Sequence, residues 1–256
     1  MTSNVNDLSL YPEPPRGLIK WLSHLILLPK QKYLQNRVNR TVTETVLGRS
    51  FLVPPSVFNP VIFRTGRYLA EYIASDDVIL ENNPNGRQKT TLDVGTGCGI
   101  HAIFAAARGY DVTAVDINRD AVHAAIKNVQ QNNLTKKITV LHGDLFAPVA
   151  GQKFDLVLCS LPKFRGEPET SFEVGWKSND VIERFADGLP EVLKPDGVAL
   201  VLLTTHGDDR GMIEALITAG LTVTPVKRNH FGMEILTIYA VRHLKANGKE
   251  SPNDMG

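Results

Sequence analysis

Asp93, Gly95, Gly97 and Gly99 fall at every second position within residues 91–103, T-L-D-V-G-T-G-C-G-I-H-A-I. Glycine at alternating positions lets the main chain pass close to a ligand, because no Cβ stands in the way. A short apolar strand leads into this turn and a helix follows at once, so the free N–H groups of the helix start point back at it. The arrangement suits a nucleotide-like ligand at the carboxyl end of a strand in a Rossmann-like sheet. A dinucleotide turn reads G-x-G-x-x-G. Here the third glycine comes too early and Ile100 stands in its place. Asp93 closes the strand just before the first glycine, and a carboxylate there suits a ligand with a positive amine better than one with a pyrophosphate. A purely structural glycine turn is the plain alternative.

Other strand ends carry polar groups. Asp116, in A-V-D-I-N, follows Gly99 near the interval of about 20 residues at which an acid takes a ribose diol. Capping the following helix is its plain alternative. Asp144 opens the turn D-L-F, and Ser160-Leu161-Pro162-Lys163-Phe164 follows a later apolar strand. His206 follows another strand; its side chain titrates near neutrality and suits a general base, although a histidine at a strand end is more often structural.

Asp93-Val94-Gly95-Thr96-Gly97-Cys98-Gly99 resembles the first motif of the class I S-adenosylmethionine-dependent methyltransferases, apolar-Asp-x-Gly-x-Gly-x-Gly, at every fixed position. The resemblance implies an α/β fold: a Rossmann-like seven-stranded methyltransferase sheet with helices on both faces and an antiparallel last strand. It implies S-adenosyl-L-methionine as cofactor. Asp93, Gly95, Thr96, Gly97, Cys98 and Gly99 are expected at its methionine end, and Asp116 and Ile117 at the ribose. Asp144 is expected to meet the adenine amino group and the N–H of Leu145 a ring nitrogen, with Phe146 stacked or packed beside the base. Ser160 is expected to contact the cofactor as well.

The Pro-rich stretch 50–60 loosely resembles the lead-in segment of the release-factor glutamine methyltransferases, and is either core packing or a wall of the pocket. Those enzymes carry Asn-Pro-Pro-Tyr or Phe after the fourth strand. Here Ser160 replaces Asn, Leu161 the first proline and Lys163 the aromatic, and only Pro162 matches unless Phe164 shifts by one. A hydroxyl cannot mimic an amide, which argues against glutamine or adenine as acceptor. The expectation is methyl transfer by direct displacement to a small-molecule N or O acceptor. Ser160, Lys163 and His206 are the candidate catalytic residues, with Glu173, Trp176 and His230 nearby in kind. The cofactor supplies the activated methyl, so the protein need only orient, desolvate and remove a proton; no metal is expected. The alternatives are a protein or RNA methyltransferase, an enzyme that cyclises the cofactor's aminobutyrate chain and releases methylthioadenosine, and a silent cofactor-binding subunit.

The 256 residues allow one large domain, or a domain and an extension. A net charge of +1 gives no bulk signature for nucleic acid or a membrane surface, and leaves a local basic patch open. Cys98 and Cys159 lack metal-ligand spacing and read as reduced thiols of a cytoplasmic protein. The apolar run within 19–29 is too short to span a bilayer and sits too far from the start for a signal peptide.

Helices are expected over 16–29 and 30–47, as a cap over the site or a homodimer contact, then a shaped loop over 50–60 and a helix over 61–73. From residue 90 strands and helices alternate. Strands are expected over 91–94, 111–115, 138–142, 154–159, 198–204, 221–226 and 234–241, with helices over 100–108, 119–132, 181–193 and 210–219. The expected division is an arm and helical cap over 1–50, a cofactor domain over 51–244 and a disordered tail over 245–256.

Overall fold

A computed structural model describes residues 8–12, 40–79, 88–161, 166–167, 178–232 and 234–244. The expected helix over 16–29 and the tail over 245–256 lie outside these residues.

The first regular element among the described residues is a hairpin, where a helix was expected to end. β1 (Val42–Val46) pairs antiparallel with β2 (Arg49–Val53). Val42, Thr43, Thr45 and Val46 are β-branched and favour extended backbone. Leu47 and Gly48 both have positive φ, 46° and 77°, as a two-residue hairpin turn of type I′ requires. Phe51 and Val53 are buried on the inner face. The hairpin also crosses the division expected between residues 50 and 51. Arg64, held at φ 59°, delays the next helix, so α1 covers Thr65–Ala74 rather than beginning at 61. Asn59 organises the intervening turn: its Oδ1 accepts from the N–H groups of Val61 and Ile62, both at 3.0 Å.

The remaining elements alternate as expected. They are β3 (Thr90–Val94), α2 (Ile100–Ala107), β4 (Asp111–Asp116), α3 (Arg119–Gln131), β5 (Ile138–His142), β6 (Phe154–Cys159), α4 (Val181–Val192), β7 (Leu193–Thr204), α5 (Asp209–Thr218), β8 (Leu221–Phe231) and β9 (Glu234–His243). The sheet has seven strands in the order β5-β4-β3-β6-β7-β9-β8, with β9 antiparallel to both neighbours. β8 runs past its expected end at 226 because it stays paired with β9 through Phe231. β7 starts early because Leu193 pairs with Phe154.

The central strands are buried on both faces, which explains their continuous apolar runs. Leu156 and Leu158 of β6 pack with α1, α2 and the hairpin, while Val157 and Cys159 pack with α4 and α5. The chain order reverses between β3 and β6, and such a switch point opens a crevice at the carboxyl ends of the strands.

Candidate functional site

The turn after β3 sits at this crevice. Gly95, Gly97 and Gly99 have φ of 69°, 56° and 83°, a left-handed region that L side chains rarely adopt. The glycines do different work. A Cβ on Gly95 would lie 3.2 Å from the Leu161 side chain, so β3 and β6 approach closely there. A Cβ on Gly99 would lie 3.3 Å from the Cα and Cβ of Ala125, so the third glycine seats α2 against α3.

Asp93 is fully buried beneath the turn. Its Oδ2 accepts from Thr96 Oγ1 at 2.6 Å and from the Ala102 N–H at 3.1 Å, tying the turn to the start of α2. Its Oδ1 has no hydrogen-bond partner and lies 3.7 Å from His101 Nδ1, which also has none. His101 Nε2 lies 3.0 Å from the carbonyl of Gly66 and must carry the proton there, since a carbonyl only accepts.

A cleft of about 580 Å³ opens above this turn. Gly95, Thr96, Gly97, Cys98, Asp116, Ile117, Asp144, Leu145 and Ser160 all line it, so the structure brings together most of the residues expected to hold one ligand. Asp93 and Gly99 do not line it. They shape the turn from beneath.

Asp116 closes β4. Its Oδ2 accepts the N–H of Gly97 at 2.8 Å and its Oδ1 the N–H of Asn118 at 2.9 Å, so both carboxylate oxygens are oriented by backbone donors. Each oxygen keeps a further lone pair for a ligand hydroxyl. Burial pushes its pKa up against the pull of these two hydrogen bonds. Helix capping falls to Asn118 instead, whose Oδ1 accepts the N–H of Asp120 at 2.9 Å. Ile117 lines the cleft with an exposed apolar side chain.

At the other end, Leu145 is held at φ 45°, a strained conformation for a branched residue that costs on the order of 1–3 kcal/mol. Asp144 beside it is ion-paired with Arg184 of α4. Phe146 does not line the cleft. It packs under α4 against Phe185, with ring centroids 5.4 Å apart, in space that exists because residue 188 is glycine.

The Pro-rich stretch forms a wall: Ser56, Val57, Phe58 and Pro60 all line the cleft. Asn118 Nδ2 donates to the carbonyl of Ser56 at 2.8 Å, and Ser56 Oγ donates to Asp120 at 2.7 Å. Asn128 holds the assembly together from inside. Its Oδ1 accepts from Leu52 N at 2.7 Å, and its Nδ2 donates to the carbonyls of Leu52 at 2.9 Å and Cys98 at 2.8 Å.

Of the candidate catalytic residues that are described, Ser160 lines the cleft. Lys163, with Pro162, Phe164, Glu173 and Trp176, lies outside the described residues. His206 is not among the lining residues; it sits past the end of β7, half-exposed, 3.9 Å from Glu234. His230 is exposed on β8 and is not among the lining residues. Burial pushes the thiol of Cys98 up to about 12, which removes it as a nucleophile. Among the described residues no group of His, Cys, Asp and Glu is placed to hold a metal, and no helix is long and apolar enough to cross a membrane.

Local patterns did not flag His101, Asn128 or Arg184. Asn118 had a readable signal, an Asn just before a helix with Asp two positions on.

Comparison with known proteins bears on family and fold. The family model described as the methyltransferase small domain matches residues 73–230. A ribosomal protein uL3 glutamine methyltransferase from Bradyrhizobium diazoefficiens is 36% identical over 120 residues, covering 41% of this chain and 38% of that protein. A protein from Methanocaldococcus jannaschii, provisionally named a protein N5-glutamine methyltransferase, is 31% identical over 160 residues, covering 59% of this chain and 80% of that one. The chain thus spans well under half the length of the first of these curated relatives. Among solved structures, the Thermus thermophilus 16S rRNA N2 G1207 methyltransferase, in complex with AdoMet and guanosine, superposes with a TM-score of 0.58 at 20% identity, over 80% of this chain and 50% of that one. That likeness is one of fold.

Proposed function

The chain belongs to the methyltransferase small domain family, and on that premise we propose that it transfers the methyl group of S-adenosylmethionine to a nitrogen acceptor carried by a macromolecule. The observation that carries the cofactor assignment is the carboxylate of Asp116, fixed by the N–H groups of Gly97 and Asn118 at the switch point and lining the cleft beside the glycine turn. A carboxylate so placed matches a ribose diol. At one side of it lies the glycine turn, Gly95 to Cys98, whose residues line the cleft where the methionine end of the cofactor would sit. At the other, Asp144 and Leu145 offer a polar edge for a nucleobase.

When bound, S-adenosylmethionine supplies a methyl group already activated by its sulfonium. The residues of this chain orient that cofactor and the wall at 56–60 excludes water from it. Ser160, at the carboxyl end of β6, faces the acceptor side and can accept one hydrogen bond from the incoming nitrogen.

The acceptor reading departs from the small molecule expected from the altered loop. Both curated relatives are named for glutamine in a protein, and the structural neighbour for a guanine in rRNA. The substrate named for both curated relatives is a glutamine side chain of a protein, a planar amide on a macromolecule. A cytoplasmic location goes with this reading.

The test is to incubate the protein with methyl-labelled S-adenosylmethionine and, separately, ribosomal protein, RNA and a small-metabolite fraction. Label is expected in a macromolecular fraction, with adenosylhomocysteine as co-product. Label in the small-metabolite fraction alone would refute the acceptor class, and methylthioadenosine without label transfer would refute methyl transfer.

A further inference from the structure

We infer that Arg184 sets the nucleobase selectivity of the cleft by holding Asp144 in the position that reads a 6-amino purine, an inference that rests on the S-adenosylmethionine reading above. Arg184 lies in the first turn of α4. Its Nε is 3.1 Å from Asp180 Oδ2 one helical turn earlier, and its Nη1 binds Asp144 Oδ2 in the loop after β5. All three residues line the cleft. A guanidinium is planar and its donors point in fixed directions. Asp180 therefore anchors it from its own helix, and the second contact fixes Asp144 across 40 residues of sequence.

This division of labour leaves a defined edge. Oδ2 of Asp144 is taken by Arg184, and Oδ1 has no protein partner among the described residues. The neighbouring Leu145, held at φ 45°, makes no backbone hydrogen bond through its N–H there. The edge is one acceptor beside one donor. A 6-amino purine presents the complement, an amino donor beside a ring acceptor. A 6-oxo purine presents the reverse, so acceptor meets acceptor and donor meets donor, which binding sites reject strongly. Asp144 is itself 43% exposed, so without Arg184 its carboxylate is free to turn into water and the acceptor is no longer placed in advance.

Arg184 acts through Asp144, which makes it a positioning residue. The alternative is that its guanidinium competes with the base for the carboxylate. The two differ in sign.

The experiment is calorimetric titration of S-adenosylhomocysteine and S-inosylhomocysteine into the wild-type protein, Arg184→Gln, Asp144→Ala and the double variant. The wild type is expected to prefer the adenosyl ligand by at least about tenfold. Arg184→Gln is expected to lose most of that preference, falling to within about threefold of Asp144→Ala, and the double variant to lose no more, because both changes remove one interaction. Arg184→Lys keeps the charge but not the fork, and an intermediate ratio is expected; it keeps the test available if the glutamine variant fails to fold. Wild-type selectivity in either Arg184 variant, tighter adenosyl binding in Arg184→Gln, or additive losses in the double variant would overturn the inference. Wild-type protein that binds neither ligand would instead overturn the cofactor reading on which it rests.

Discussion

Replacing Asp116 by alanine tests the centre of the site. The carboxylate accepts the N–H of Gly97 at 2.8 Å and that of Asn118 at 2.9 Å. In the free protein those donors lie beside an open cleft, and water can replace the lost acceptor. Removal also relieves the burial that pushes the Asp116 pKa up, so the cost to folding is small, about 1 kcal/mol. In the complex the loss is larger, because ribose hydroxyls lose a charged acceptor, and hydrogen bonds to charged groups contribute about 1.5–3 kcal/mol each. For the two hydroxyls of a diol that is about 3–6 kcal/mol, a fall in affinity of roughly 10²- to 10⁴-fold. Calorimetric titration with S-adenosylhomocysteine measures it, and thermal unfolding checks the fold. An affinity within about threefold of wild type, with the fold intact, would refute the assignment of Asp116 to the ribose. A fall in melting temperature large enough to account for the lost binding would refute the argument that its role is binding rather than folding.

Four other outcomes are expected. Asn128→Ala strands the N–H and carbonyl of Leu52 and the carbonyl of Cys98, and should destabilise the protein by about 3 kcal/mol in denaturant unfolding while also weakening cofactor binding; unchanged stability would contradict the structural account of the hairpin. Gly66→Ala places a Cβ 2.6 Å from that of Pro60 and should cost roughly 1–3 kcal/mol by the same measurement. His206→Asn should change turnover by less than about threefold, and a larger loss in steady-state assays would bring His206 back as a catalytic residue. Asp155 gives a pH signature: burial alone would raise its pKa, but hydrogen bonds from Lys194 and from Thr90 outweigh that and lower it to about 2. A carboxyl depressed in the folded state contributes stability that is present above its unfolded pKa of about 3.9 and is lost as pH falls through the folded value. Lys194→Met should therefore lower stability by about 1–2 kcal/mol at pH 7, with the difference closing between about pH 4 and pH 2 in melts across that range.

The glycine turn, the alternation of strands and helices from residue 90, and the acids at the ends of β3, β4 and β5 were legible in the sequence. Each is a local signal. A doubly buried strand such as β6 is largely apolar, and positive φ in a close turn favours glycine, as at Gly95, Gly97 and Gly99. The family motif then supplied a sheet order that periodicity alone could not.

Tertiary structure decided what depends on contacts across the chain. Residues 42–47 sit in a segment whose polar composition reads as helix, yet β-branched side chains, the Leu47–Gly48 turn and the bonds from Asn128 to Leu52 make a hairpin. Asp93 carries the motif's acid, but its burial turns it toward Thr96 and Ala102 rather than the cleft. Phe146 lies beneath α4 because Gly188 leaves it room. Arg184 reaches Asp144 although α4 follows β6, which is separated from β5 by two strands, β4 and β3. Periodicity and turn chemistry belong to neighbouring residues and are written along the chain. Which side chain meets which across the sheet follows from strand order and helix packing, and those exist only once the core has formed.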